Sequence, residues 1–176
     1  MLRWFRLVLL NRIYKNTKRA DFESVKSKHP GALRNISVLL DHRLGIDEKH
    51  FVQMGKALGL SNNNIKVLTY YPSFNLAETS KSKSYFTSRD ISSFGVLNER
   101  LNDFCNFKSD VLINFFVQND INLKYISAKS NKKLSIGFNS VDHSLSDLII
   151  EVDAQNIDVF TNECIKYIKI FFTTKK

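Results

Sequence analysis

Val111-Leu112-Ile113-Asn114-Phe115-Phe116 is an almost unbroken apolar run, and its reading decides the class of fold. Six residues suit a strand better than a helix. The lack of in–out alternation is the mark of a strand covered on both faces, as in a parallel sheet. Ile36-Ser37-Val38-Leu39-Leu40-Asp41 has the same character, and Ile65-Lys66-Val67-Leu68-Thr69-Tyr70 predicts another strand, closed by Pro72.

Working outward, helical spacing alternates with these runs. Asp47 is placed to cap a helix through Phe51, Met54, Leu58 and Leu60, with Gly59 near its end and a turn at 61–64. Residues 73–84 read as a polar surface loop, and 85–87 as a brief strand. Ser88 is placed to cap a short helical piece around 90–94. Gly95 then punctuates the chain before a segment across Leu97, Leu101 and Phe104. After Phe116 come a helix near 123–130, strands at 134–138 and 148–152, and an amphipathic helix over 159–171. Such alternation predicts an α/β fold, a single mostly parallel sheet with helices on both faces, flavodoxin-like or Rossmann-like. The short connection 139–147 leaves room for an antiparallel pair at the edge.

Charge divides the chain differently from hydropathy. Residues 1–34 hold nine basic side chains (Arg3, Arg6, Arg12, Lys15, Lys18, Arg19, Lys26, Lys28, Arg34) against Asp21 and Glu23, whereas the rest of the +9 chain is nearly neutral. The reading is therefore a basic N-terminal helical arm, 1–34, before an α/β domain, 35–176. The arm is also apolar. Leu2, Phe5, Leu9 and Ile13 fall in one helical row, with Trp4 and Val8 beside it. Three destinations fit: an anionic membrane surface, ribosomal RNA, or the protein's own body or a second copy. The large apolar residues exceed what phosphate binding needs, which favours lipid or protein. The expected docking residues are Arg3, Trp4, Phe5, Arg6, Arg12, Lys15, Lys18 and Arg19. No apolar run approaches the roughly 18 residues of a membrane span, and no signal-peptide pattern follows the arm. Residues 1–20 would thus meet a cytoplasmic surface, such as the inner face of the inner membrane.

The polar residues at the carboxyl ends of the strands are the candidate ligand site: Asp41, His42, Asp120, Asn139, Asp142 and His143. They form no familiar constellation. Asp41-His42-Arg43-Leu44-Gly45 is not a dinucleotide fingerprint, and Gly55-Lys56 lacks the rest of a P-loop, so no dinucleotide or other cofactor is expected. Asp-His neighbours point in different directions and seldom pair, and Ser140 and Ser144 lack a nucleophile elbow. Cys105 and Cys164 read as packed thiols, and no metal site is expected. A binding or adaptor module is favoured over a small enzyme using the strand-end residues.

Two resemblances add to this. Phe86-Thr-Ser-Arg-Asp90-Ile91, Asp110-Val-Leu-Ile-Asn114, Leu123–Ser130, Ile136–Asp142 and the Phe160…Lys169 ending resemble a family of uncharacterised Bacteroidota proteins, classed as a domain of unknown function. That resemblance implies an α/β fold with a basic N-terminal helix and brings no activity. Residues 110–138 are also similar to one βαβ unit of heptosyltransferase-type glycosyltransferases. Those enzymes need two such domains, so the similarity implies fold, or a domain that has lost its chemistry.

Overall fold

A computed structural model describes residues 2–24, 31–73 and 84–172; within the first helix it describes the side chains of Trp4 and of residues 6–17. The expected surface loop at 73–84 falls almost wholly outside the described residues. The elements are α1 (Leu2–Ser24), β1 (Ile36–Asp41), α2 (Lys49–Ala57), β2 (Ile65–Tyr71), β3 (Tyr85–Thr87), α3 (Glu99–Asn106), β4 (Ser109–Phe115), α4 (Ile121–Lys129), β5 (Lys132–Gly137), β6 (Leu148–Ile149) and α5 (Ile157–Phe171).

The strands form one sheet in the order β3-β2-β1-β4-β5-β6, and every adjacent pair is parallel. β1 lies at the centre, with Ile36 level with Ile65 on one side and Val111 on the other. All residues of β1 and β4 are buried, which explains their unbroken apolar reading. The order reverses between β1 and β4, the switch point where doubly wound sheets open a crevice at their carboxyl edge.

The edge at β6 differs from expectation, since β6 runs parallel to β5. Asp147 brings the chain back to the level of β5 before it re-enters the sheet. Its carboxylate accepts from Ser135 N at 2.7 Å and from Ser135 Oγ at 2.6 Å, while its own N–H donates to Ser135 O. Pairing then covers only Leu148–Ile149, and the predicted strand stops short of Val152.

Helix ends follow local chemistry. The cap position of α2 is Glu48, one residue later than predicted and without a side-chain cap bond, while Asp47 Oδ1 accepts from Lys49 N at 2.9 Å just ahead of it. Gly59, with φ of +80°, closes α2: Leu60 N donates to Gly55 O and Gly59 N to Lys56 O. The helical piece predicted near 90–94 is instead one 3-10 turn, Ser88–Asp90. Its cap is Thr87, which forms a reciprocal capping box with Asp90.

Two apolar layers enclose the sheet. α2 and α5 cover one face over Val38, Leu40, Ile113 and Phe115; α1, α3 and α4 lie over Leu39, Leu68 and Leu112 on the other. α4 is buried almost all round, Lys124 and Lys129 excepted, so it is covered on its outer side as well as by the sheet. α1 supplies that cover. Leu10 is 0% exposed, Tyr14 is buried and Ile13 packs against the same cluster. The helix set apart by charge thus shares the core of the body.

Candidate functional site

At the switch point β1 ends on Asp41, a carboxylate 1% exposed. Its partner is Arg43. The guanidinium donates through Nε to Oδ1 at 2.9 Å and through Nη2 to Oδ2 at 2.7 Å, and Arg43 N donates to Oδ1 at 3.0 Å. This two-pronged bond holds the guanidinium pKa above its ordinary value. Arg43 Nη2 also lies 3.5 Å from Asp120 Oδ2, which joins the β1 and β4 ends.

Asp120 caps α4 by accepting from Asn122 N at 2.9 Å. Asn122 Nδ2 lies 2.9 Å from both Asp120 Oδ1 and Tyr70 Oη, at the end of β2. The opposite side of that amide belongs to α1. Arg6 Nη2 donates to Asn122 Oδ1 at 3.1 Å, to Ser88 O at 2.6 Å and to Ile91 O at 3.2 Å. Burial, then the nearby Asp120 charge, push the Tyr70 phenol well above its usual range.

The other three candidates meet at the end of β5. Tyr14 Oη donates to Asp142 Oδ2 at 2.7 Å, and Ser144 donates to Asp142 Oδ1 through its backbone N and its hydroxyl. His143 Nε2 lies 2.7 Å from Asn139 O, and Asn139 Nδ2 donates to Glu151. Asn119 Oδ1 accepts from Asp142 N at 3.2 Å, which links this group to the first through the residue beside Asp120.

The six predicted residues therefore fall into two adjoining groups on one edge. Asp41 holds Arg43, His42 stacks on Tyr71 with ring centroids 4.1 Å apart, and His143 turns its Nε2 to Asn139 O. Among the described residues no group of three or more His, Cys, Asp or Glu is placed to hold a metal. At α2, the helix that would face a phosphate in a nucleotide-binding sheet, the approach is acidic. Asp47 has its pKa lowered by the Lys49 N–H, and Glu48 accepts from Thr69 Oγ1 at 2.6 Å. A groove of about 470 Å³ opens at the opposite, amino edge, lined by Leu33, Arg34, Leu58, Leu60, Ser61 and Asn64, far from these side chains.

Arg6, Tyr14, Tyr70 and Asn122 complete the network. Tyr70 and Asn122 lie at a strand end and a helix start, where a polar residue is a detectable signal; nothing local in the sequence says that Arg6 and Tyr14 reach the sheet edge.

The other feature is the outward side of α1. Arg6, Leu10, Ile13 and Tyr14 face the body, and the opposite row runs Trp4, Val8, Arg12 and Lys15, with Leu7 on the flank beside Tyr14. Trp4 is 70% exposed, and Leu7 and Val8 are exposed beside it. Of the expected docking residues, Trp4, Arg12 and Lys15 thus face outward and Arg6 is held by the body; the side chains of Arg3, Phe5, Lys18 and Arg19 lie outside the described residues. Among the described residues no helix is long and apolar enough to cross a membrane.

A family model described as a family of unknown function, DUF6913, matches residues 6–171. The chain belongs to this family. No curated protein and no solved structure matches it. The DUF6913 match begins at Arg6, the first residue of α1 seen bonding to the body, so it takes in the packed row of α1 as well as the sheet.

Proposed function

We propose that this DUF6913 protein is a non-enzymatic adaptor that docks on an anionic membrane surface through the outward face of α1. The observation that carries the reading is the exposed pair Trp4 and Val8, on the side of α1 away from Arg6 and Leu10, with Arg12 and Lys15 continuing the row and Leu7 exposed on its flank. Apolar and aromatic side chains enter the headgroup region while adjacent cations meet lipid phosphates, each worth about 1 kcal/mol near the surface. α1 is held against the body by Arg6 and Tyr14, so docking would fix the domain's orientation and leave the amino-edge groove and α5 open to a partner.

RNA phosphates would also attract the basic residues, yet they give no reason for the exposed Trp4 and Val8. An enzymatic reading is less well supported, because the carboxyl-edge acids are engaged with Arg43, Asn122, Tyr14 and Ser144. The surface proposed is the cytoplasmic face of the inner membrane in the Bacteroidota the sequence resembles.

Trp4 is the sole tryptophan, so its emission reports the event directly. Phosphatidylglycerol-containing vesicles are expected to blue-shift the emission, and neutral phosphatidylcholine vesicles to leave it unchanged. Emission that both vesicles leave unmoved would overturn the membrane reading. Salt-sensitive retention on ribosomal RNA in the same experiment would assign the arm to RNA.

A further inference from the structure

The groove at the amino edge of the sheet, about 470 Å³, opens between the segment that leads into β1 and the segment that joins α2 to β2. Leu33 and Leu58 are buried in its wall and Leu60 is half-buried beside them, all three on the apolar layer under α2. Arg34, Asn35, Ser61 and Asn64 make its rim polar. None of the large apolar side chains that stand exposed on the described surface lines it. The leucines are recessed.

Hydrogen bonds fix the two segments in this arrangement. Asn64 Nδ2 donates to Arg34 O at 2.8 Å and so joins one side to the other. Behind the first segment, Asp110 Oδ2 accepts from Arg34 N at 2.6 Å and from Asn35 N at 3.0 Å. In the second, Asn64 N donates to Ser61 O at 3.0 Å. Walls held before a ligand arrives lose little freedom when it binds.

The same contacts gather like charges around the rim. Lys133 Nζ lies 2.7 Å from Asp110 Oδ1, Asn35 Nδ2 donates to Lys108 O at 3.2 Å, and Lys56 O accepts from Gly59 N at 2.9 Å. Arg34, Lys56, Lys108 and Lys133 are thus exposed around one buried carboxylate, Asp110, which Lys133 and two backbone N–H groups engage. Among the described residues no carboxylate pairs with Arg34, Lys56 or Lys108. Cations gathered without counter-charges raise the local concentration of anions.

The leucines decide which anion fits. A bilayer takes up apolar side chains that protrude, and these are sunk in a groove. Single-stranded nucleic acid stacks its bases on aromatic side chains, and none of the residues lining the groove is aromatic. A peptide with an aliphatic side chain between carboxylates matches both the apolar wall and the basic rim.

We propose that the amino-edge groove docks an acidic peptide segment of a partner protein, its aliphatic side chain entering beside Leu33, Leu58 and Leu60 while flanking carboxylates meet Arg34, Lys56 and Lys108. This goes beyond the membrane reading and gives the adaptor its partner. It uses no residue of α1, so either reading can fail alone.

The test screens the full chain against a bead-displayed library of short random peptides at low ionic strength and measures the strongest by fluorescence polarisation. Selected peptides are expected to carry a leucine, isoleucine or methionine flanked by aspartate or glutamate. Arg34→Glu with Lys108→Glu alters only exposed side chains and is expected to weaken binding about tenfold or more. Ser61→Trp leaves the cations in place and obstructs the groove, and a comparable loss is expected. Thermal melting verifies that both variants keep the fold. Failure to select any peptide, or selection of peptides without acidic residues, would overturn the proposal. Binding that Ser61→Trp leaves unchanged would reduce it to diffuse charge attraction and would overturn it too. Preferential, salt-sensitive retention of single-stranded RNA would assign the edge to nucleic acid instead, and self-association abolished by Arg34→Glu, with no peptide selected, would make the occupant a second copy. Trp4 emission on vesicles is read separately, so a blue shift there with no peptide selected leaves the membrane reading standing and this one refuted.

Discussion

Tyr14 on the N-terminal helix donates a 2.7 Å hydrogen bond to Asp142, 128 residues further along the chain. The bond ties α1 to the loop after β5, just as Arg6 ties it to the turn after β3. A helix that reads as a basic arm is thereby clamped to the sheet edge at two points. Tyr14→Phe keeps the packed ring and removes the bond. The expected loss is about 1–2 kcal/mol, the usual worth of a hydrogen bond to a charged group with its partner left behind. Urea denaturation of the pair decides it, and an unchanged midpoint would rule the clamp out as a stabilising contact.

The same phenol makes stability depend on alkaline pH. Burial first, and then the bond to Asp142, raise the Tyr14 pKa, and burial raises that of Tyr70. An acid whose folded pKa lies above its unfolded value binds its proton more tightly when folded. The stability it contributes is complete below the unfolded value of 10.0 and is lost as pH rises from there through the folded value. Stability is thus expected to fall above pH 10.0, and Tyr14→Phe to make that fall shallower. Ultraviolet difference titration checks the premise: Tyr14 and Tyr70 are expected to ionise only with unfolding.

Leu10 and Val8 lie on opposite sides of α1, and their truncations separate packing from display. Leu10→Ala opens a cavity over α4 and is expected to cost about 2–4 kcal/mol, whereas Val8→Ala is expected to stay within about 0.5 kcal/mol. Deleting residues 1–20 would uncover the apolar side chains of α4 that Leu10, Ile13 and Tyr14 cover, lower the melting temperature and raise binding of a hydrophobic dye. Equal melting of the truncated and complete chains would contradict the packed role of α1.

These contrasts show what was legible in the sequence. β1, β2 and β4 could be read because both their faces are covered, so burial left an apolar run in each. The carboxyl-edge residues could be located for a similar reason, since polar side chains cluster where apolar strands stop. The place of α1 could not be read. Charge set it apart, and its cover shows only in the burial of α4, where Asn122 and Ser127 are enclosed along with Leu123, Tyr125 and Ile126. The edge pairing at β6 was hidden as well, because it depends on a contact between Ser135 and Asp147 twelve residues apart.

Asp41 and Arg43 give the switch point its own test. Arg43→Ala leaves a carboxylate 1% exposed without its guanidinium and is expected to destabilise by about 2 kcal/mol, less than a fully buried pair because Arg43 reaches solvent. Asp41→Asn together with Arg43→Ala removes the stranded charge and is expected to recover part of that loss. The double-mutant cycle is the measurement. Additive single effects would mean that the two side chains act independently, and the bidentate geometry would then contribute nothing to stability.

The thiols provide a last, simple check on the two cores. Burial pushes Cys105 up to about 11 and carries Cys164 higher still, on the faces covered by α3 and α5 respectively. Reaction with a thiol reagent requires the thiolate and access, and the folded chain supplies neither at neutral pH. Both cysteines are expected to be unreactive in the native protein and to react together once the chain unfolds. Release of Cys105 alone at low denaturant would show the α1–α3–α4 face opening before the α2–α5 face, and would divide a fold that the shared sheet otherwise makes one cooperative unit.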